Sequence, residues 1–186
     1  MKNKRLLVII AALSTTLIVC GILLKPNTHS NTNSLGYIQG ILMEQIKYQS
    51  EVYYNHNLYS TRLNDDTVTV LIYRYSPDIC SSCYQEDLLE LKEFQKNEKK
   101  VVTLILPAYP VTNRSNLMKI EKETQGFKYK NIPSDSLSLP LNMLYEEKRY
   151  FAVINEQGRI GMVFFPVTDH LYLTRRYLQE VARTFN

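Results

Sequence analysis

"TVTVLIYRYSPDICSSCYQEDLLELKEF", residues 67–94, decides how this chain is read. Its first part, residues 67–75, is rich in β-branched and aromatic side chains, the composition of a buried strand. From Cys80 to Asn97 the pattern turns helical: Leu88, Leu89, Leu91 and Phe94 gather on one side, with Glu86, Asp87, Glu90, Lys92 and Glu93 around the rest. Cys80 and Cys83, separated by two serines, stand where strand gives way to helix.

Downstream, "KKVVTLILP" at 99–107 reads as a second buried strand, so the segment is a βαβ unit with parallel strands. "RSNLMKIEKETQ" at 114–125 has a helical pattern, and "NIPSDSLSLPLN" at 131–142, with two prolines, reads as a loop or extended insert. "RYFAVIN" at 149–155 and "RIGMVFFP" at 159–166, joined by a short glycine-containing turn, predict an antiparallel hairpin. Leu171, Leu173, Tyr177, Leu178 and Val181 share one face of a terminal helix that Asp169 is placed to cap. The order is βαβ, a variable crossing, then ββα, an α/β class.

Upstream, "LNDD" at 63–66 signals a turn, and Leu35, Ile38, Ile41, Leu42 and Ile46 recur at helical spacing, predicting an amphipathic helix over 35–52 that packs on the domain. Residues 6–24 carry no charge and are long enough to span a hydrocarbon core. Lys2, Lys4 and Arg5 precede this segment and only Lys25 closely follows it. The positive-inside rule therefore keeps the N-terminus in the cytoplasm and sends the rest across a bacterial-type inner membrane, into the periplasm or outside. No small-residue cleavage site follows the apolar run, and Val19 is the wrong residue before Cys20 for lipidation, which predicts an uncleaved anchor. The expected organisation is an anchor at 1–25, a polar spacer at 26–34, a helix and connection at 35–66, and a domain at 67–186.

The chain of 186 residues is 45% hydrophobic and 22% charged, which is globular rather than disordered. A net charge of +4, scattered except for "KNKR" and "KNEKK", argues against a nucleic-acid partner. Fourteen tyrosines and no tryptophan make a compositional skew with no explanation at this level.

Three chemistries compete for the cysteine pair. Structural zinc needs four ligands; one CxxC supplies two, and His29, His56 and His170 lack ligand spacing, so no metal is assigned. A static disulfide between Cys80 and Cys83 closes too small a loop to stabilise much. Thiol exchange needs one partly ionised thiol and a second near enough to resolve a mixed disulfide. At a helix N-terminus Cys80 meets unpaired N–H groups and the positive end of the helix dipole, so Cys80 is expected to be the nucleophile and Cys83 the resolving thiol.

A CxxC directly after the first core strand, followed by "YFAVINEQGRIGMVFFP", resembles the active site and second-half hairpin of thioredoxin-like proteins, over residues 67–185. The membrane-anchored TlpA or redoxin type is the class it is most similar to. That resemblance implies a thioredoxin-like fold, a thiol–disulfide oxidoreductase without a bound cofactor, catalytic Cys80 and Cys83, and as partners exported protein thiols or disulfides and a membrane electron donor. The family pattern is departed from in three places. Arg149 to Phe151 stand where members carry a cis-proline, Ile79 replaces an aromatic residue, and the buried proton-transfer acid falls near Tyr73 or Arg74, leaving Asp78 and Glu86 as candidates. Arg74 is expected either at an exposed strand edge or turned toward the cysteines. "SPDIC" also resembles the C-P-D-x-C motif of Sco-type copper chaperones, with Ser76 in place of the first cysteine. This implies an alternative, a non-catalytic redox-sensing or copper-handling module using Cys80, Cys83 and His170.

Overall fold

The computed structural model describes residues 33–58, 68–110, 114–133, 139–143 and 146–185. The predicted membrane segment at 6–24, with Cys20, and residues 26–32 of the spacer lie outside them, whereas Asn33 and Ser34, expected in the spacer, begin the first helix. Among the described residues no helix is long and apolar enough to cross a membrane.

Among the described residues, eleven elements follow in order: α1 (Asn33–Leu58), β1 (Val70–Tyr75), α2 (Ser81–Asn97), β2 (Val102–Pro107), α3 (Arg114–Glu123), β3 (Lys128–Tyr129), β4 (Asn142–Met143), β5 (Glu146–Glu147), β6 (Tyr150–Ile154), β7 (Ile160–Phe164) and α4 (Leu171–Phe185). The main sheet runs β3-β2-β1-β6-β7, with β4 and β5 pairing separately. β1 pairs in parallel with β2, Val70 facing Val102, and antiparallel with β6, Val70 facing Ile154. A parallel βαβ half joined through its central strand to an antiparallel hairpin and closed by a terminal helix is the thioredoxin-like arrangement. The predicted order is therefore present, in an α/β fold of this type.

Period-two alternation distributes β1 between two cores. Leu71, Tyr73 and Tyr75 pack beneath α2 and α4, against Leu91, Phe151 and Val181. Val70 and Ile72 face the opposite layer, made of α1 with Ile132, Leu139 and Leu141. Tyr75, Tyr84 and Tyr109 all donate hydroxyl hydrogen bonds to the carboxylate of Glu123, at 2.6–3.1 Å. Part of the tyrosine excess thus serves as large apolar bodies whose polar tips share one acceptor.

The hairpin turn is fixed by Asn155, whose Oδ1 accepts the N–H groups of Gln157 and Arg159, and by Gly158 at φ 72°, where a side chain would be strained. In β7 Met162 adopts φ 49° where the pairing shifts register, a bulge that tilts the edge of the sheet.

Several expectations need correction. α1 exists and packs on the domain, but its buried positions are Gln45, Tyr48, Gln49, Val52, Tyr53 and His56, while Ile38, Ile41, Leu42 and Ile46 of the expected stripe are only half-buried. The reason is the edge of β7, whose outward backbone groups need polar partners. The amide of Gln45 bonds both ways to Phe165, donating to its carbonyl at 2.6 Å and accepting its N–H at 3.1 Å. Gln49 donates to the Val163 carbonyl at 2.8 Å, Tyr53 accepts the Val163 N–H, and His56 donates to the Gly158 carbonyl at 2.8 Å. The helix thus takes the place of a sixth strand.

Arg74 is neither exposed nor turned toward the cysteines. β6 makes β1 a central strand, and Arg74 lies fully buried on the α1 face, donating to the carbonyls of Leu139 at 2.6 Å and Ile132 at 3.3 Å. Asp169, at φ 66°, precedes the N-cap position of α4, which His170 occupies.

Candidate functional site

β1 ends at Tyr75 and delivers the chain to a tight turn. The carbonyl of Ser76 accepts the N–H of Ile79 at 3.3 Å, and the Ser76 hydroxyl exchanges hydrogen bonds with Asp78. That turn sets Cys80 at the N-cap of α2, where its carbonyl accepts the first intrahelical N–H groups, from Cys83 at 3.1 Å and Tyr84 at 3.4 Å. Cys80 is exposed, Cys83 is half-buried one turn into the helix, and both are free thiols.

The two sulfurs differ electrostatically. The Ser82 hydroxyl, 2.8 Å from Cys80 Sγ, together with the N–H of Cys83, the Cys83 thiol and the N–H of Ser82, lowers the Cys80 thiol to about 7. Burial pushes the Cys83 thiol up, reinforced by its hydrogen bond with Cys80 and opposed by the Arg149 guanidinium and the Thr168 hydroxyl. The pair therefore presents a partly ionised outer sulfur against a protonated inner one, the asymmetry that thiol exchange requires.

Below Cys83 lies a buried ion pair that sequence reasoning missed. Asp87, four residues after Cys83 and therefore on the same helix face, is 2% exposed. Arg149 Nε donates to its Oδ2 at 2.6 Å, the Tyr73 hydroxyl to the same oxygen at 2.8 Å, and the Thr174 hydroxyl to Oδ1 at 3.5 Å. Burial raises the Asp87 carboxyl, opposed by Arg149 and the two hydroxyls. The two acids proposed from sequence are placed otherwise: Asp78 is exposed and tied to Ser76, and Glu86 is exposed on α2. Only the interval from Cys83 to Asp87 hinted at the buried acid.

A cleft of about 540 Å³ opens beside the motif, between α1 and the loop after β7, lined among others by Tyr37, Ile41, Ile79, Arg149 and Thr168. Ile79, immediately before Cys80, forms part of the cleft wall.

His170 accepts or donates a hydrogen bond with the Tyr37 hydroxyl at 3.3 Å and packs between the rings of Tyr37 and Tyr172. Among the described residues no three His, Cys, Asp or Glu side chains converge as metal ligands, so the set Cys80, Cys83 and His170 is not assembled. No cis peptide bond occurs among the described residues, Arg149 to Phe151 included.

No protein-family model matches the chain, and no curated protein does. Solved structures with a similar backbone include a bacterioferritin comigratory protein of Xanthomonas campestris, described for alkyl peroxide reduction. It is 17% identical, with 64% of this chain and 77% of that one covered at a TM-score of 0.42. A second is DsbF of MTB in mixed oxidised and reduced forms, at 14% identity, 61% and 81% coverage and a TM-score of 0.42. A third is peroxiredoxin Q of X. campestris, at 18% identity, 62% and 81% coverage and a TM-score of 0.42. Likeness at this level leaves the chemistry to be read from the chain's own residues.

Proposed function

We propose that this chain is a thiol–disulfide oxidoreductase acting through Cys80 and Cys83, held on the outer side of a membrane by residues 6–24. The observation that carries the reading is the contrast between the exposed Cys80, whose thiol is lowered to about 7 at the start of α2, and the half-buried Cys83, whose thiol is raised.

In the reductive direction, the Cys80 thiolate attacks one sulfur of a substrate disulfide. A bond forms between Cys80 and that sulfur, and the other substrate sulfur leaves with the electron pair as a thiolate. Cys83, having lost its proton, then attacks Cys80 Sγ; the intramolecular disulfide forms and the second substrate sulfur departs. The chain is oxidised by two electrons and the substrate reduced by two, and a dithiol donor on the membrane side restores the starting state. The reverse sequence transfers the disulfide to a substrate dithiol. The substrates consistent with export are disulfides or thiols of exported proteins.

Reduction of a model protein disulfide by the reduced full chain in mild detergent tests this. Activity that disappears in Cys80→Ser, with a trapped mixed disulfide in Cys83→Ser, is the expected result. Full activity in Cys80→Ser would refute it.

A further inference from the structure

Resolution of the mixed disulfide requires Cys83 to lose a proton in a half-buried place, where burial works against its thiolate. We infer that Arg149, clamped by Asp87 beside the second cysteine, supplies the positive charge under which Cys83 gives up its proton. This rests on the thiol-exchange reading and adds to it a positioning pair from outside the CxxC motif.

The geometry is built for holding one guanidinium in place. Cys83 and Asp87 project from the same face of α2 one turn apart. Arg149, immediately before β6, reaches across to Asp87 Oδ2 at 2.6 Å and is 12% exposed, against 2% for its partner. Asp87 is in turn fixed from β1 by Tyr73 and from α4 by Thr174, so three elements determine where the arginine sits. Arg149 also lines the cleft that Ile79 and Thr168 line, so the same guanidinium borders the open space beside the motif.

The groups acting on Cys83 are Cys80 from its own helix, Arg149 from the start of β6 and Thr168 from the loop after β7. The other ionisable cleft residues, Tyr37, Glu44, Tyr48, Lys148 and Asp169, line the same opening. Both oxygens of Asp87 are engaged by Arg149, Tyr73 and Thr174, which suits a carboxylate that anchors a cation better than one that collects a proton. The Cys83 proton therefore leaves to solvent, which the half-buried thiol still meets. The Cys83 electron pair forms the bond to Cys80 Sγ, and the departing substrate sulfur takes the pair from the broken bond. A sequence that lacks proline at the hairpin entrance thus uses the same place for a charge.

The test uses the full chain in mild detergent, in a Cys20→Ser, Cys80→Ser background so that Cys83 is the single thiol. Alkylation of Cys83 is followed against pH for the parent, for Arg149→Met, for Arg149→Lys and for the doubly neutral Asp87→Asn, Arg149→Met. Loss of the charge is expected to move the half-point up by about one pH unit, slowing alkylation near neutrality about tenfold, with Arg149→Lys staying near the parent. Should Arg149→Met unfold, the double variant, which leaves no buried ion unpaired, carries the comparison. An unchanged profile in the folded double variant overturns the inference. Disulfide exchange of the intact Cys80–Cys83 pair is measured separately. A shifted profile without exchange would sink the exchange reading alone, and exchange without a shift would sink the role of Arg149 alone.

Discussion

The hydroxyl of Ser82 lies 2.8 Å from the sulfur of Cys80, inside the first turn of α2, and is the largest influence holding that thiol at about 7. A spacer serine thus has an electrostatic task, since a donor to a thiolate stabilises the ionised form. A thiol lowered in this way is reactive above its midpoint and silent below it, so alkylation of Cys80 rises with pH through about 7. In Ser82→Ala the midpoint is expected to move toward the ordinary thiol value, cutting the alkylation rate near neutral pH about three- to tenfold while leaving strongly alkaline rates alike. Peptide-resolved mass spectrometry of the alkylated full chain reads this out, and an unchanged midpoint would contradict it.

Removing Asp87 strands a buried guanidinium. Asp87→Ala is expected to destabilise the chain by about 3 kcal/mol, the lower range for breaking a buried pair, because Arg149 keeps slight contact with solvent. Leu89→Ala, at a site 67% exposed on the same helix, serves as the comparison and should change stability by under about 0.5 kcal/mol. Denaturant titration of both variants decides it. Equal stability of the two would mean that the ion pair holds nothing together.

The cover on β7 predicts a second kind of loss. Gln45→Ala leaves both the N–H and the carbonyl of Phe165 without their partner, and is expected to cost about 1–3 kcal/mol. Combined with Gln49→Ala, it bares two positions of an edge strand and should promote concentration-dependent association. Light scattering against chain concentration measures this; a monodisperse, fully stable double variant would show that α1 is dispensable to the edge.

The tether is tested by fractionation. Deleting residues 1–25 is expected to move the protein from the membrane pellet to the soluble fraction, and externally added protease should reach the domain of the full chain in spheroplasts but not in controls with the orientation reversed. A full-length chain found soluble, or protected inside the cytoplasm, would contradict the assignment.

The core of the fold was legible because its signals are local. Residues 67–75, 99–107 and 149–166 carry strand composition and a glycine turn, and the change of period after Cys80 marks the helix start. What was illegible depended on distant neighbours. Asp87 reads as one more charge on an exposed face until Arg149, 62 residues away, folds onto it. Arg74 reads as an edge residue until β6 pairs along the second side of β1 and the carbonyls of Ile132 and Leu139 receive its charge. The glutamines of α1 look like a polar face, yet they are its packing face, because the surface they cover is a row of backbone groups rather than a row of side chains. Of the site, Cys80 and Cys83 stood out by spacing alone, whereas the cleft wall supplied by α1 had no local signature.

The central claim is that Cys80 and Cys83 form a reversible two-electron couple, and equilibrating the full chain across a graded series of reduced and oxidised glutathione tests it most directly. With Cys20 replaced by serine, the number of alkylatable thiols per chain is predicted to fall from two to none in a single reversible transition, lost in Cys83→Ser. Two thiols persisting across the whole series, or irreversible oxidation without recovery on return to reducing buffer, would contradict it.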